Sequence, residues 1–214
     1  MHRTIVILMA LCIAVLSLAA PVFPVNAYAK EEASAVSETL GKLLAAYAGE
    51  TNANNYYLAF AKKADEEGYG QAASLFRAVA RAEKVHTEHY AAAIKSLGGT
   101  PKATIGTPVV KSTKENLEWA LSQEVYLSSV LYVGFAKQAE KDKIKMAINL
   151  FKGAEASEAA HTKLFKKALS NLQGWKGQKK DFFVCLVCGN VTENKAPAIC
   201  PICAAPKEKF TAVN

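Results

Sequence analysis

Two short stretches decide the fold of this chain: Glu83-Lys84-Val85-His86 and a second copy of the same pattern, Glu158-Ala159-Ala160-His161. In a helix, residues three positions apart lie on one face, so each stretch places a carboxylate beside an imidazole. One such pair alone is typical of a solvated helix face. Two pairs that face each other across packed helices would form a site for two metal ions.

Four long helical segments contain or flank these stretches, and they are predicted from apolar residues that recur every three or four positions. They cover residues 33–67 (segment A), 70–97 (B), 112–142 (C) and 143–172 (D). Tight turns at Gly68 and near Asp142 join A to B and C to D, whereas residues 98–111 form a long connection from B to C. Two hairpins joined by one long crossover predict a mainly α, ferritin-like four-helix bundle over residues 30–174.

The two hairpins repeat each other in sequence. The run Tyr57-Leu-Ala-Phe-Ala-Lys-Lys-Ala-Asp in A corresponds to Tyr132-Val-Gly-Phe-Ala-Lys-Gln-Ala-Glu in C. The offset between these runs equals the offset between Glu83 and Glu158. A repeated helical hairpin predicts a bundle with pseudo-twofold symmetry.

A glutamate interrupts the apolar face of each segment near its middle. Glu50 and Glu124 precede their turns by the same number of positions, and Glu83 and Glu158 follow theirs at distances that differ by one position. In antiparallel hairpins these four carboxylates meet at one level, where uncompensated buried charges would be very costly. Six residues are therefore predicted to ligate two metal ions: Glu50, Glu83, His86, Glu124, Glu158 and His161.

Two tyrosines follow the glutamates of A and C on nearby helix faces. Tyr57 lies seven residues after Glu50, and Tyr132 lies eight residues after Glu124. Each is expected either to donate a hydrogen bond behind the ligands or to pack in the apolar core. His89 is expected at the surface or behind the ligands. A group of lysines is typical of a helix C-terminus, with a docking surface for an acidic donor as the alternative: Lys163, Lys166, Lys167, Lys176, Lys179 and Lys180.

Four cysteines near the C-terminus form two knuckles, Cys185-x-x-Cys188 and Cys200-x-x-Cys203, with eleven residues between them. Four thiolates at this spacing are typical of a tetrahedral site for one iron or one zinc ion. Two disulfides are the alternative in an oxidising compartment. The sequence thus predicts a small metal-binding module over residues 181–214.

The N-terminal residues 1–29 are typical of a secretory signal peptide. His2 and Arg3 precede an apolar run over residues 5–20, and Ala27-Tyr28-Ala29 is a cleavage pattern. We expect cleavage after Ala29 and export to the periplasm, with an uncleaved membrane anchor as the alternative. The net charge is +7, but no basic stretch is interleaved with aromatic residues, which argues against nucleic-acid binding.

Taken together, these motifs resemble those of rubrerythrin along nearly all of the chain after residue 29. The similarity lies in Ala-Gly-Glu50 with Tyr57, in both Glu-x-x-His stretches, in Glu124 with Tyr132, and in the rubredoxin-like run from Cys185 to Phe210. The resemblance implies a di-iron site, one further iron held by the four cysteines, and reduction of hydrogen peroxide. It also implies a homodimer in which one subunit's rubredoxin-like iron lies near the partner's di-iron site.

Helix geometry independently favours delivery to a partner subunit. The fourteen residues from Glu158 to Leu172 span about 21 Å of helix, so a module that begins at Asp181 starts far from its own di-metal site. The export signal favours an exported electron donor, such as a small cytochrome, over direct NADH-linked delivery.

One position departs from the rubrerythrin pattern. Members of the family usually carry a second glutamate three residues after the segment C ligand, where this chain has Leu127. In the family that glutamate exchanges with the segment B histidine as the iron changes oxidation state. We therefore expect this chain to keep a fixed, symmetric site of four glutamates and two histidines.

The expected reaction is reduction of hydrogen peroxide at the di-iron site. Glu83 and Glu158 are expected to bridge the metals and Glu50 and Glu124 to be terminal, while Tyr57 or Tyr132 donates a hydrogen bond or proton. Two other functions stay open from the sequence: a ferroxidase, and a non-enzymatic metal-binding protein whose four cysteines hold structural zinc.

Overall fold

The computed structural model describes residues 25–214, with side chains from residue 38 onward. The described helices are α1 (Val25–Glu66), α2 (Gly70–Ser96), α3 (Thr113–Tyr126), α4 (Tyr132–Lys141) and α5 (Lys145–Ser170). A π-helical segment, Leu127–Leu131, joins α3 to α4. Since α3, this π segment and α4 follow one another directly, they form a single third helix, and the predicted four-helix, ferritin-like bundle is confirmed.

The first helix begins earlier than predicted. It starts at Val25 rather than near residue 33, because the stretch around the predicted cleavage pattern is rich in alanine, which favours helix. Residues 1–24 of the predicted signal peptide lie outside the described residues, so that peptide stays a prediction. Between residues 25 and 214, no helix is both long and apolar enough to cross a bilayer.

The two hairpins turn in the same way. In each turn a backbone N–H donates to the carbonyl five positions earlier, at Tyr69 over 2.8 Å and at Ile144 over 3.0 Å. The preceding residue in each case has a positive φ, 77° at Gly68 and 59° at Lys143. These positions have the same offset as the two Glu-x-x-His stretches, so the predicted internal repeat extends to the backbone of the turns.

The crossover between α2 and α3 is bound to α1. The Asn52 side chain accepts a hydrogen bond from the Gly106 N–H at 2.7 Å and donates one to the Thr104 carbonyl at 3.0 Å. The crossover ends at Ser112, which forms a reciprocal capping box with Glu115 and so fixes the start of α3.

The third helix was predicted to be α-helical over its whole length, and its middle is not. The Ser128 hydroxyl donates to the Glu124 carbonyl at 2.7 Å, and the Ser129 hydroxyl donates to the Val125 carbonyl at 2.5 Å. Serine hydroxyls that occupy helix carbonyls compete with backbone N–H groups, which favours a local distortion. The π segment therefore begins three residues after Glu124, and the adjacent serines were the sequence signal for it.

Two apolar clusters fill the bundle, one around Phe76 and Phe165 and the other around Tyr90 and Phe151. Tyr57 belongs to the first cluster and Tyr132 to the second. Both tyrosines donate hydrogen bonds to buried glutamates. The bundle therefore has a middle layer of buried polar side chains, which lies between the two apolar clusters.

The C-terminal module is a three-stranded antiparallel sheet of order β2-β1-β3. The strands are β1 (Phe182–Cys185), β2 (Val191–Glu193) and β3 (Phe210–Val213), and Phe183 of β1 pairs with Thr192 and Ala212. Phe182 and Val184 are fully buried in the same apolar cluster as Phe76 of α2. The module therefore packs directly on the bundle of its own chain.

An extended linker brings the module back along α2. The Gly177 N–H donates to the Gly68 carbonyl at 2.9 Å, and the Lys180 N–H donates to the Ser74 hydroxyl at 3.2 Å. A β-carbon on Gly70 would overlap the Gly177 carbonyl oxygen, so this close approach requires glycine. An extended chain advances about 3.3 Å per residue against about 1.5 Å in a helix, so a short linker runs along the first turns of α2 and directs the module toward the middle of that helix.

Candidate metal centres

Six side chains from the four helices of the bundle meet in its middle layer. Glu50 comes from α1, Glu83 and His86 from α2, Glu124 from α3, and Glu158 and His161 from α5. All six are buried, and His86 is the most exposed of them at 4%. The structure thus brings together all six residues that were predicted from the sequence as ligands of the di-metal site: Glu50, Glu83, His86, Glu124, Glu158 and His161.

The six side chains divide into two overlapping groups. Glu50, Glu83, His86 and Glu158 form one group, and Glu83, Glu124, Glu158 and His161 form the other, with potential ligand atoms inside each group within 4.8 Å of one another. Glu83 and Glu158 belong to both groups. This sharing is the geometry required of carboxylates that bridge two ions, the role predicted for Glu83 and Glu158 from the sequence.

Distances around the two histidines follow the pseudo-symmetry. His86 Nδ1 lies 2.9 Å from Glu83 Oε2 and 3.1 Å from Glu158 Oε1. His161 Nδ1 lies 2.7 Å from Glu158 Oε2 and 3.5 Å from both Glu83 Oε1 and Glu124 Oε2. Each imidazole therefore points its Nδ1 atom at the carboxylates.

Much of this polar layer lacks hydrogen-bond partners. Within residues 38–214, no hydrogen bond of acceptable geometry is formed by one carboxylate oxygen each of Glu50, Glu83 and Glu124, by either oxygen of Glu158, or by His161 Nδ1, although the Nδ1 atoms of both histidines lie close to Glu158. Unpaired buried oxygens are costly, and buried charges are normally paired or bound to a metal. A set of four carboxylates and two imidazoles fits a pair of transition-metal ions.

The pKa values of the carboxyl groups show how crowded this layer is. Burial, with the charges of Glu83 and Glu158, raises the pKa of Glu50 well above its usual range. Burial and the charge of Glu158 raise the pKa of Glu124 to about 8. Burial also opposes ionisation of Glu158, but His86 and His161 hold the pKa of that carboxyl below its usual range. Bound cations would favour the charged form of every carboxylate here.

The two predicted tyrosines bind the terminal glutamates crosswise. Tyr57 of α1 donates to Glu124 Oε1 of α3 at 2.5 Å, and Tyr132 of α4 donates to Glu50 Oε1 of α1. The sequence placed each tyrosine near the glutamate of its own helix, but the phenols reach across to the opposite hairpin. Because both are buried to within 1%, they are at once core residues and hydrogen-bond donors.

The outer nitrogens of the histidines bind the C-terminal module. His86 Nε2 lies 3.0 Å from the carbonyl oxygen of Cys188, and His161 Nε2 lies 3.0 Å from that of Gly189. Because a carbonyl oxygen can only accept, each Nε2 carries a proton, and Nδ1 is the nitrogen that would bind a metal. Sequence reasoning missed these contacts, since they join positions that are 102 and 28 residues apart.

The four cysteines form a second site inside the module. The sulfurs of Cys185 and Cys203 are 3.7 Å apart and those of Cys188 and Cys200 are 3.6 Å apart, so these thiols are not disulfide-bonded. A tetrahedral metal with bonds of about 2.3 Å to sulfur would hold its ligands about 3.8 Å apart. Burial raises the pKa of the Cys185 thiol to about 11, and a bound cation would favour its thiolate form.

Comparison with known proteins agrees with both sites. A family model described as rubrerythrin matches residues 42–169, and a second, described as the rubrerythrin rubredoxin-like domain, matches residues 183–211. The chain belongs to the rubrerythrin family. It is thereby a member of a family of di-iron oxidoreductases that carry a rubredoxin-like domain.

Individual relatives span most of the chain. Nigerythrin of Nitratidesulfovibrio vulgaris is 36% identical over 84% of this chain and 88% of its own length. Rubrerythrin of Porphyromonas gingivalis is 33% identical over 81% of this chain and 89% of its own length. A solved structure of nigerythrin in its fully reduced, all-ferrous state superposes with a TM-score of 0.77, at 35% identity, over 81% of this chain and 86% of that one.

The position of the rubredoxin-like module differs from the expectation. The rubrerythrin resemblance and the length of segment D implied that the module serves the di-metal site of a partner subunit. In this structure the Cys188–Gly189 knuckle contacts the histidines of its own chain. The module does not lie far from the di-metal site of its own chain, because the linker does not continue away from α5 but runs back along α2. Delivery to a partner subunit stays a prediction. Formation of a homodimer stays a prediction.

The remaining nominated residues lie outside the two sites. Lys167 and Lys180 both form ion pairs with Glu193, so part of the lysine group holds the module on the bundle. His89 is partly buried and lines a cavity between the module and α5. Leu127 opens the π segment and lines a different cavity beside Glu50.

Proposed function

We propose that this chain is a non-haem di-iron peroxidase that reduces hydrogen peroxide to water with electrons relayed through its four-cysteine site. The observation that carries the proposal is the pair of hydrogen bonds from His86 and His161 to the carbonyls of Cys188 and Gly189. They join the two candidate metal sites within one chain. A redox relay requires such proximity, whereas a purely structural metal knuckle does not.

The residues assigned to each metal follow from the two groups. Glu50 and His86 would bind one iron only, and Glu124 and His161 would bind the other. Glu83 and Glu158 would be ligands of both. Bound iron would supply the two electrons that cleavage of a peroxide O–O bond requires. The solved nigerythrin structure is of an all-ferrous state, which supports iron as the metal of the site formed by the glutamates and histidines. One further iron would be held by the cysteine knuckles: Cys185, Cys188, Cys200 and Cys203.

The chain's own groups supply protons and orientation. The phenols of Tyr57 and Tyr132 are held on Glu124 and Glu50, beside the place where peroxide oxygen would become water. Burial raises the pKa of both phenols well above the usual range, with Glu124 adding to this for Tyr57 and Glu50 for Tyr132, so both stay protonated as donors. The apolar clusters on either side exclude bulk water from this layer.

Electrons would have a short route from the four-cysteine site to the di-metal site. Cys188 contributes its sulfur to the four-cysteine site and its carbonyl to His86, so one residue connects both. The neighbouring Gly189 gives the equivalent contact to His161. Both histidines are held at their outer nitrogens, which supports fixed ligation in place of the exchange that Leu127 was expected to prevent.

We further propose that the protein works in the periplasm and receives electrons from an exported redox protein such as a small cytochrome. The support is the leader-like composition of residues 1–29. We also propose a homodimer, as the rubrerythrin resemblance implies. The lysines that do not pair with Glu193, among them Lys163, Lys166 and Lys179, supply positive charge for an acidic donor.

Metal analysis combined with stopped-flow oxidation of the reduced protein tests this function. We expect iron in both sites, rapid oxidation by hydrogen peroxide and repeated turnover with an added electron donor. Oxidation that prefers oxygen and deposits iron would instead show a ferroxidase. Zinc in the four-cysteine site with no turnover would show a non-enzymatic metal-binding protein.

A further inference from the structure

A cavity of about 210 Å³ opens between α1 and the third helix, on the face of the bundle opposite the module. The module contacts α2 and α5 through His86 and His161, whereas this cavity reaches the cluster at Glu50. Tyr57 and Tyr132 also line it. Electrons and oxidant would therefore approach the cluster from opposite faces.

Most of the wall of this cavity is apolar. Small residues of α1, Ala46, Gly49 and Ala53, face the branched side chains of Leu127 and Leu131. The small residues leave room on one side, and the π segment places the leucines on the other. Such a lining favours a ligand with an alkyl portion over one that is polar throughout.

The polar groups that line the cavity are Glu50, the amides of Asn52 and Gln123, and the phenols of Tyr56, Tyr57 and Tyr132. Among them, Glu50 belongs to the di-metal site. Glu50 is only 1% exposed, and within residues 38–214 its Oε2 atom has no hydrogen-bond partner. The amide of Asn52 also lines the cavity, but it is already bound to the crossover backbone. A ligand would therefore place its polar end at Glu50 and its apolar end against the leucines.

The size of the cavity exceeds the needs of hydrogen peroxide. One water occupies about 30 Å³ in the liquid, so a molecule with two oxygens fills only part of this space. We infer that the substrate class includes small alkyl hydroperoxides, with the peroxy group at the Glu50 end and the alkyl group against Leu127 and Leu131. This inference rests on the proposed peroxidase function and extends it.

The reaction balances in the same way as for hydrogen peroxide. One ROOH takes two electrons and two protons, its O–O bond breaks, and ROH and water form. The electrons come from two equivalents of a one-electron donor protein through the four-cysteine site. The protons are passed on from Tyr57 and Tyr132 and replaced from solvent.

A comparison of two substrates tests the inference on the iron-loaded, full-length protein. We expect tert-butyl hydroperoxide to be reduced with a KM below that for hydrogen peroxide. Leu127→Gln, which places an amide in the apolar wall, should lower kcat/KM for tert-butyl hydroperoxide about tenfold relative to that for hydrogen peroxide. The matched variant Leu127→Met keeps the wall apolar. Its ratio of kcat/KM for tert-butyl hydroperoxide to kcat/KM for hydrogen peroxide should equal that of the wild-type protein.

Binding without turnover gives a second measurement. Trp119 lines the cavity, whereas Trp175 packs under the module. Titration of the oxidised protein with tert-butyl alcohol, an unreactive product, should therefore change the fluorescence of the wild type and not that of Trp119→Phe.

The two proposals fail in different ways. Reduction of hydrogen peroxide without reduction of tert-butyl hydroperoxide would overturn the inference and leave the proposed function standing. A ratio that Leu127→Gln leaves unchanged, or a fluorescence response that survives in Trp119→Phe, would also overturn it. Failure to reduce either peroxide would overturn the proposed function and the inference with it.

Discussion

The imidazole Nε2 of His86 lies 3.0 Å from the backbone carbonyl oxygen of Cys188. The two residues belong to different predicted metal sites, and 102 positions of sequence separate them. A backbone group makes the contact, so the side chain of Cys188 stays free to bind its own metal. Docking of the module thus fixes the orientation of His86, a predicted metal ligand of the bundle, and it leaves all four cysteine sulfurs free to bind their own metal.

Gly189→Ala should loosen this docking. Gly189 has φ +78°, and a β-carbon there would lie 3.0 Å from His86 Cδ2 and closer still to Nε2. We expect a loss of about 1–3 kcal/mol in stability from the strained backbone and the overlap. Re-reduction of the oxidised cluster, followed by stopped-flow absorbance, should slow by about tenfold or more.

Gly134→Ala is the matched control for this change. Gly134 lies in α4, and in the described part of the chain nothing lies within 4 Å of a β-carbon built there. Alanine should stabilise this helix by about 0.5–1 kcal/mol and leave re-reduction unchanged. Equal rates in both variants would contradict the role of the docking contact.

A subunit-complementation experiment tests whether electrons pass within one chain. Glu83→Ala disables the cluster and Cys200→Ser disables the four-cysteine site, so neither variant should turn over peroxide. Co-expressed and purified together, they should regain no activity, because each chain carries one broken site. Recovery of substantial activity in the mixed protein would mean that the module serves a partner subunit.

Tyr57→Phe and Tyr132→Phe should each slow peroxide turnover. Each change removes the phenol that binds a terminal glutamate, together with a candidate proton donor. General acid catalysis of this kind contributes about 10²–10⁴-fold, so we expect losses near the lower end for single variants, where the other phenol remains. Tyr126→Phe, at an exposed position, is the control. Full activity of the double variant would remove both tyrosines from the mechanism.

The metal-free protein should become less stable as pH rises. Glu50 and Glu124 have raised pKa values in the folded state, about 8 for Glu124 against 4.5 as the ordinary value. Burial lowers the pKa values of His86 and His161, but Glu158 more than offsets this and raises both. The folded chain thus binds protons more tightly than the unfolded chain. For Glu124 this stabilisation is lost as pH rises from 4.5 to about 8, and for the histidines it is lost as pH rises above 6.5.

Thermal melts of chelator-treated and iron-loaded protein test this dependence. The metal-free protein should melt lower at about pH 8 than at about pH 5. Iron loading should oppose the trend, since metal binding displaces protons from the ligands. In the metal-free Glu124→Gln variant the melting temperature should fall less steeply with pH, because the neutral amide cannot titrate. A metal-free wild-type protein that melts higher at the more alkaline pH would contradict the assignment.

Glu193→Gln should weaken the attachment of the module at low salt. Glu193 forms ion pairs with Lys167 of α5 and with Lys180 of the linker. Burial opposes ionisation of Glu193, but these lysines hold its pKa below the usual range, so its contribution is lost as pH falls below about 4. We expect a loss of below about 1 kcal/mol, smaller at high salt. Glu140→Gln, which removes the exposed pair with Lys152, should have no measurable effect on docking.

Much of the bundle and the cluster could be predicted from sequence because both depend on helical periodicity. The position of a side chain along a helix follows from residue counting, so matched counts from the turns brought Glu50, Glu83, Glu124 and Glu158 to one level. The internal repeat of the hairpin doubled this information. The four cysteines could also be located from sequence, because the spacing of the two Cys-x-x-Cys motifs is enough to define their site.

The contacts between elements could not be counted in this way. The direction of the linker depends on a close approach at Gly70 and Gly177, which leaves no periodic signal. The crosswise tyrosines depend on the crossing of helices, which residue counting does not give. The π segment arises from two serine hydroxyls that bind the backbone.

Adjacent residues of one knuckle hold both histidines, and this has a consequence for maturation of the protein. The carbonyls of Cys188 and Gly189 are fixed only when the knuckle is folded, and metal binding to four thiolates drives such folding. A nascent chain that fills its sulfur site first would present two imidazoles already turned toward the carboxylates. The fold thereby favours an order of metal acquisition, with the single ion before the pair.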